Sequence, residues 1–125
     1  MTRPAFRLTT PAAADAVRII RAVANGAAAD AALSYNSFED LDLAVGEASA
    51  SLLEHGSGGS LECVVSVAEG SLDVSVALSG SPEATAQWPP ADWENSLGAL
   101  VLGSVASDVH LVHVDGNPAI SFTVV

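Results

Sequence analysis

From Leu41 to Leu52 apolar residues recur at helical spacing, with Leu41, Val45, Ala48 and Leu52 forming one stripe. Val17, Ile20, Val23 and Ala24 repeat the rhythm upstream, and Thr10 before Pro11 reads as a cap and first helical residue. These signs predict a first helix from Thr10 to about Leu33, with Gly26 as a weak point. Short apolar Ala5 to Leu8 predicts an edge strand before it. Ser34 to Ser37 is turn-like, and Ser37 with Asp40 three residues on predicts a capping box for the second helix.

After Gly56 the run GSGGS breaks the pattern, and the period changes from 3.6 to 2. Leu61, Cys63, Val65 and Val67 alternate with more polar neighbours, as do Leu72, Val74, Val76 and Leu78 past a turn at Glu69-Gly70, which predicts a hairpin with one apolar face. Gly80 to Asp92 contains Pro82, Pro89 and Pro90 and reads as a long loop, a candidate lid. A third helix is expected from Trp93 to Ser107 with Leu97, Leu100, Val101 and Val105 inward. Val109 to Val114, a turn over Asp115-Gly116-Asn117-Pro118 and Ala119 to Val125 form a second expected hairpin.

Strands grouped in hairpins make a mainly antiparallel sheet, and the helices must cover its apolar face. The expected class is therefore α+β, a two-layer α/β sandwich occupying residues 1–125 as one domain. No internal repeat and no linker interrupt it.

Charge changes the picture of what such a domain can bind. The net charge is −11, lysine is absent, and the only basic side chains are Arg3, Arg7, Arg18 and Arg21. Beyond Arg21 every fixed charge is negative, which disfavours direct contact with a nucleic-acid backbone and favours a basic partner. The single cysteine, Cys63, lies in a strand pattern and reads as a small buried hydrophobe, so thiols supply neither a disulfide framework nor a zinc site. Arg18, Arg21 and Asp15 interrupt the N-terminal alanine-rich run, and Leu97 to Ala106 is too short to span a bilayer; a cytoplasmic protein is expected, with no membrane contact.

The candidate chemistry lies on the second helix, where Glu47, Ser51 and His55 share a face distinct from the apolar stripe. Three residues on one helix face make a poor hydrolase triad, and no nucleophile-elbow pattern surrounds Ser51. His110 and His113 fall on opposite faces of a strand and do not pair around a metal. Trp88 and Trp93 flank the proline-rich segment and read as its anchors into the core.

FEDLDLAV followed by EASASLLEHG, with two strands, a loop and a glycine-containing helix behind it, resembles the bacterial anti-sigma factor and serine kinase family of the histidine-kinase-like (GHKL) ATPases. The resemblance implies a helix motif Glu-x-x-x-Asn, in which Glu is a general base and Asn holds Mg²⁺. Glu47, His55 and Gly56 match; Ser51 occupies the Asn position. An Asp-x-Gly-x-Gly motif that would receive adenine corresponds to Leu78-Ser79-Gly80-Ser81-Pro82, and a Gly-x-Gly facing the phosphates corresponds to Ser96-Leu97-Gly98.

Three eroded motifs imply a degenerate member whose vestigial site comprises Glu47, Ser51, His55, Leu78, Gly80, Ser96 and Gly98, with no resident metal and no nucleotide cofactor. The resemblance then implies an anti-sigma factor that sequesters an alternative sigma factor until a partner switch releases it. An anti-anti-sigma protein is a further implied partner, and a homodimer through the N-terminal strand and first helix would place Arg7, Arg18 and Arg21 near the interface. Two alternatives stay open: an active serine kinase using Mg-ATP with Glu47 as base, and a non-catalytic interaction domain in another pathway.

Overall fold

The computed structural model describes residues 5–56 and 58–125; Arg3 and Ser57 lie outside them. Strand β1 (Ala5–Pro11), helices α1 (Ala16–Ala28) and α2 (Tyr35–His55), strands β2 (Ser60–Ala68) and β3 (Ser71–Ser79), helices α3 (Pro82–Ala86) and α4 (Leu97–Val105), and strands β4 (Ser107–Val114) and β5 (Asn117–Val124) follow in order. The five strands form one sheet in the order β1-β2-β3-β5-β4, with every neighbouring pair antiparallel. The expected α+β sandwich is the fold observed.

The alternation seen in the sequence becomes rows across the sheet. Cys63 pairs with Val76 and Val76 with Ile120; one step along, Val65 pairs with Val74 and Val74 with Phe122. These inward residues are buried, and against them lie Leu41, Ala44, Val45, Ala48 and Leu52 of α2, each with no exposed surface. Burial in this apolar layer pushes the Cys63 thiol up to about 12, because a thiolate there would lose its hydration.

Several boundaries differ from expectation, each for a local reason. Thr10 and Pro11 do not open α1; they continue β1 and pair with Leu61 and Ser60. Pro11 ends an edge strand, where its missing N–H breaks no ladder. The first helix starts at Ala16 and gives way after Ala28 to a 3₁₀ turn at Ala29–Ala31, short of Leu33. The cap of α2 is Ser34, not Ser37: Ser34 Oγ accepts from the Ser37 backbone N–H at 3.2 Å, while Ser37 Oγ donates to the Val125 carbonyl at 2.7 Å.

The segment 80–92 is not one long loop. It folds into α3, and Trp88, 5% exposed, seals it into the core. Helix α4 begins at Leu97 under a Ser96 cap, not at Trp93, which lies in a 3₁₀ turn. Its inward face differs from expectation in part: Val105 packs on the core as expected and Val101 is half-buried, but Gly98 and Leu102 are the buried residues and Leu97 and Leu100 face out. With the start fixed at Leu97, the i, i+4 pair at Gly98 and Leu102 meets α2 and turns both leucines away.

The second hairpin turns on two residues, Asp115 at φ 52° and Gly116 at φ 80°, and β5 resumes at Asn117. Between α2 and β2, Gly59 adopts φ 80°, and a Cβ there would overlap the Ser79 carbonyl. That contact explains why the break needs glycine. Among the described residues no helix is long and apolar enough to cross a membrane.

Candidate functional site

Helix α2 presents two faces, and the second one bears the candidate chemistry. Glu47, Ser51 and His55, four residues apart, line a cavity of about 240 Å³ that the 90–93 segment and the first turn of α4 close. Ser96 and Gly98 line it too, so five of the residues singled out in the sequence come together there. Leu78 and Gly80 do not. Leu78 is a core side chain with no exposed surface, and Gly80, at φ 78°, packs against Gly59 at the end of the first hairpin.

Local sequence explains how these side chains are held. His55 Nδ1 lies 2.8 Å from the Ser51 carbonyl, so that nitrogen donates to it. Its ring meets Trp88 edge to face, with centroids 5.5 Å apart and planes at 80°. Ser96 Oγ donates to the Trp93 carbonyl at 2.5 Å and accepts from Ala99 N–H at 3.1 Å, tying the 3₁₀ turn to α4.

Gly98 sets how close α4 comes. A Cβ built on it would lie 2.9 Å from Ser51 Oγ, 3.0 Å from Glu47 Oε1 and 3.1 Å from Trp93 Cζ3. Backbone of α4 therefore occupies the space directly above Glu47 and Ser51. The spacing of α2 contained one further lining residue, Glu54, seven positions after Glu47; Asp92 also lines the cavity, and nothing local in the sequence marks it.

Mg-ATP does not fit this arrangement. Pockets for ligands of such size usually measure roughly 300–1,000 Å³, and this one is smaller. Its lining carries Glu47, Glu54 and Asp92 and no lysine or arginine to meet phosphates. No carboxylate stands at Leu78 to receive an adenine amino group. Among the described residues no group of three or more His, Cys, Asp or Glu side chains is placed to hold a metal ion.

Arg7 and Arg21 work elsewhere. Arg7 pairs with Glu62 at 2.9 Å across the edge of the sheet. Arg21 of α1 grips Asp42 of α2 through both guanidinium arms, one of them Nε at 3.0 Å, and Asn25 Nδ2 adds a bond at 3.2 Å. The Arg21 guanidinium holds the Asp42 carboxyl below its ordinary value, against the opposing effect of burial. His110 pairs in register with Ser121 and His113 with Pro118; both side chains are exposed.

This sheet, this helix layer and this cavity define the class of protein. The chain belongs to the histidine kinase-like ATPase domain family, whose model matches residues 10–123, as the resemblance implied. Among solved structures it is similar to the RsbU and RsbW domains of Rv1364c from Mycobacterium tuberculosis, with a TM-score of 0.70 and 21% identity over 96% of this chain. The chain spans 32% of the length of that one. A comparison with curated proteins finds no match.

Proposed function

We propose that this domain is an anti-sigma regulatory factor that binds and sequesters an alternative sigma factor in the cytoplasm without using nucleotide. The observation that carries the reading is the cavity above Glu47 and Ser51, reduced by the approach of α4 at Gly98 and lined by carboxylates without a cation. Membership in the ATPase domain family and the likeness to a structure containing an RsbW domain support the regulatory class. An acidic chain with no lysine or arginine after Arg21 supports a basic protein partner. An anti-anti-sigma protein that exchanges with sigma, and a homodimer through β1 and α1, complete the proposal.

The rival is a serine kinase, favoured by one observation: Glu47 still faces the cavity at the position of a general base. Two measurements separate them. Titration calorimetry is expected to give no heat with Mg-ATP at millimolar concentration, which would sink the kinase; micromolar binding would overturn the nucleotide-free reading. Affinity purification from native extract at low salt is expected to recover a sigma factor and to lose it at high salt. Recovery of none at low salt would reject the proposal.

A further inference from the structure

Helix α4 reads LGALVLGSV, apolar on nearly every side, a composition that belongs to a helix covered all round. Yet Leu97 and Leu100 are 73% and 70% exposed. Leu97 is also part of the wall of the cavity beneath, so an apolar rim and an acidic hollow are continuous. Inside the hollow, Ser51 is 4% exposed, and Glu47, Glu54 and Asp92 supply carboxylates.

These groups select their occupant by exclusion and by fit. An anion would meet the three carboxylates Glu47, Glu54 and Asp92, with no lysine or arginine in the lining to offset them. A metal ion needs converging ligands, which are not assembled among the described residues. An organic cation with several N–H donors on an apolar stem meets every requirement: the carboxylates and the Ser51 hydroxyl accept, and the Trp93 ring in the same wall offers a cation–π surface.

We propose that the cavity and its rim form a docking site for a basic side chain of a partner protein, an arginine or lysine flanked by apolar residues. The charged head enters between Glu47, Glu54 and Asp92, and the flanking apolar residues cover Leu97 and Leu100. Every fixed charge beyond Arg21 is negative, so the long-range field steers such a segment inward. This inference rests on the sequestration reading and names the chemistry by which the partner is gripped.

The probe is the blocked tripeptide acetyl-Leu-Arg-Leu-amide, titrated into the ¹⁵N-labelled chain, with the neutral citrulline analogue as control. Saturable shifts of the Ser51 and Gly98 amides and the Trp93 indole are expected, and citrulline should bind at least about tenfold more weakly. Glu47→Gln with Asp92→Asn should weaken the arginine peptide by a similar factor, and Leu97→Ser with Leu100→Ser should weaken both peptides. Equal binding of the citrulline peptide, or shifts spread over the acidic surface without saturation, overturns the proposal; this comparison needs no variant to fold. A sigma factor retained equally by wild type and by both double variants would sink the docking site and leave sequestration standing. Saturable peptide binding without any recovered sigma factor would do the reverse.

Discussion

The two faces of α2 are built to different rules. Toward the sheet, Leu41, Val45, Ala48 and Leu52 are fully buried against strands whose inward residues match in row after row. Toward α4, Glu47, Ser51 and His55 meet a glycine backbone across a small acidic cavity. Burial free energy fixes the first face, because any polar group placed there loses its hydration with nothing to replace it. The second face is fixed by shape and charge. There a glycine in α4 lets two helices approach, and the residue types that a nucleotide would require are not assembled. The sheet-facing side of the helix can therefore hold the fold whatever residues the cavity-facing side carries.

The sharpest break in this comparison is Leu52→Asp. An unpaired charge in the layer between α2 and the sheet costs several kcal/mol, on the order of the whole stability of a domain, about 5–15 kcal/mol. Circular dichroism should show loss of folded signal at 25 °C, and an unchanged spectrum would mean that the sheet-facing side is not the one that holds the fold. The cavity face should respond more mildly. Ser51→Asn adds volume against the Gly98 backbone, where even an added Cβ would lie only 2.9 Å from Ser51 Oγ, and overpacking of that kind costs about 1–3 kcal/mol. Urea unfolding measures that cost. The same variant should give no calorimetric signal with Mg-ATP, since restoring one metal ligand leaves α4 in place and Leu78 in the core; millimolar or tighter affinity would mean that α4 swings away readily.

The sheet-facing side was almost wholly legible in the sequence because periodicity records it directly. Leu61 to Val67 and Leu72 to Leu78 alternate in the sequence as they do in the sheet. Element ends were less legible. Thr10-Pro11 satisfies a helix-start pattern and a strand-end pattern equally well, and only pairing with Ser60 and Leu61 selects between them. For α4, a nearly all-apolar sequence has no clear inner side, so Leu97 and Leu100 could not be told from Gly98 and Leu102. At the site, Glu47, Ser51 and His55 share a helix and their spacing shows it. Asp92 reaches the same cavity through the turn that follows Trp88; the sequence marks Trp88 as an anchor into the core, but no local pattern marks Asp92 as a lining residue.

A third side of α2 offers the smallest effect and the finest test of how much electrostatics adds to that frame. Asp42 faces α1, where Arg21 and Asn25 both bond it. The pair is partly open to solvent, with 43% of the Arg21 side chain and 32% of the Asp42 side chain exposed, so Asp42→Asn should cost only about 0.5 kcal/mol at neutral pH. The sign in pH follows from the depressed carboxyl. The folded state binds this proton less readily than the unfolded chain, so the contribution is complete above the ordinary carboxylate value near 3.8 and is lost as pH falls through the lower folded value. Wild type and variant should therefore differ in urea midpoint at pH 7 and converge in the acid range, with the neutral-pH gap narrowing in high salt. A gap that persists at acid pH would assign the effect to packing between α1 and α2, making that side of the helix resemble the sheet-facing one more than the cavity.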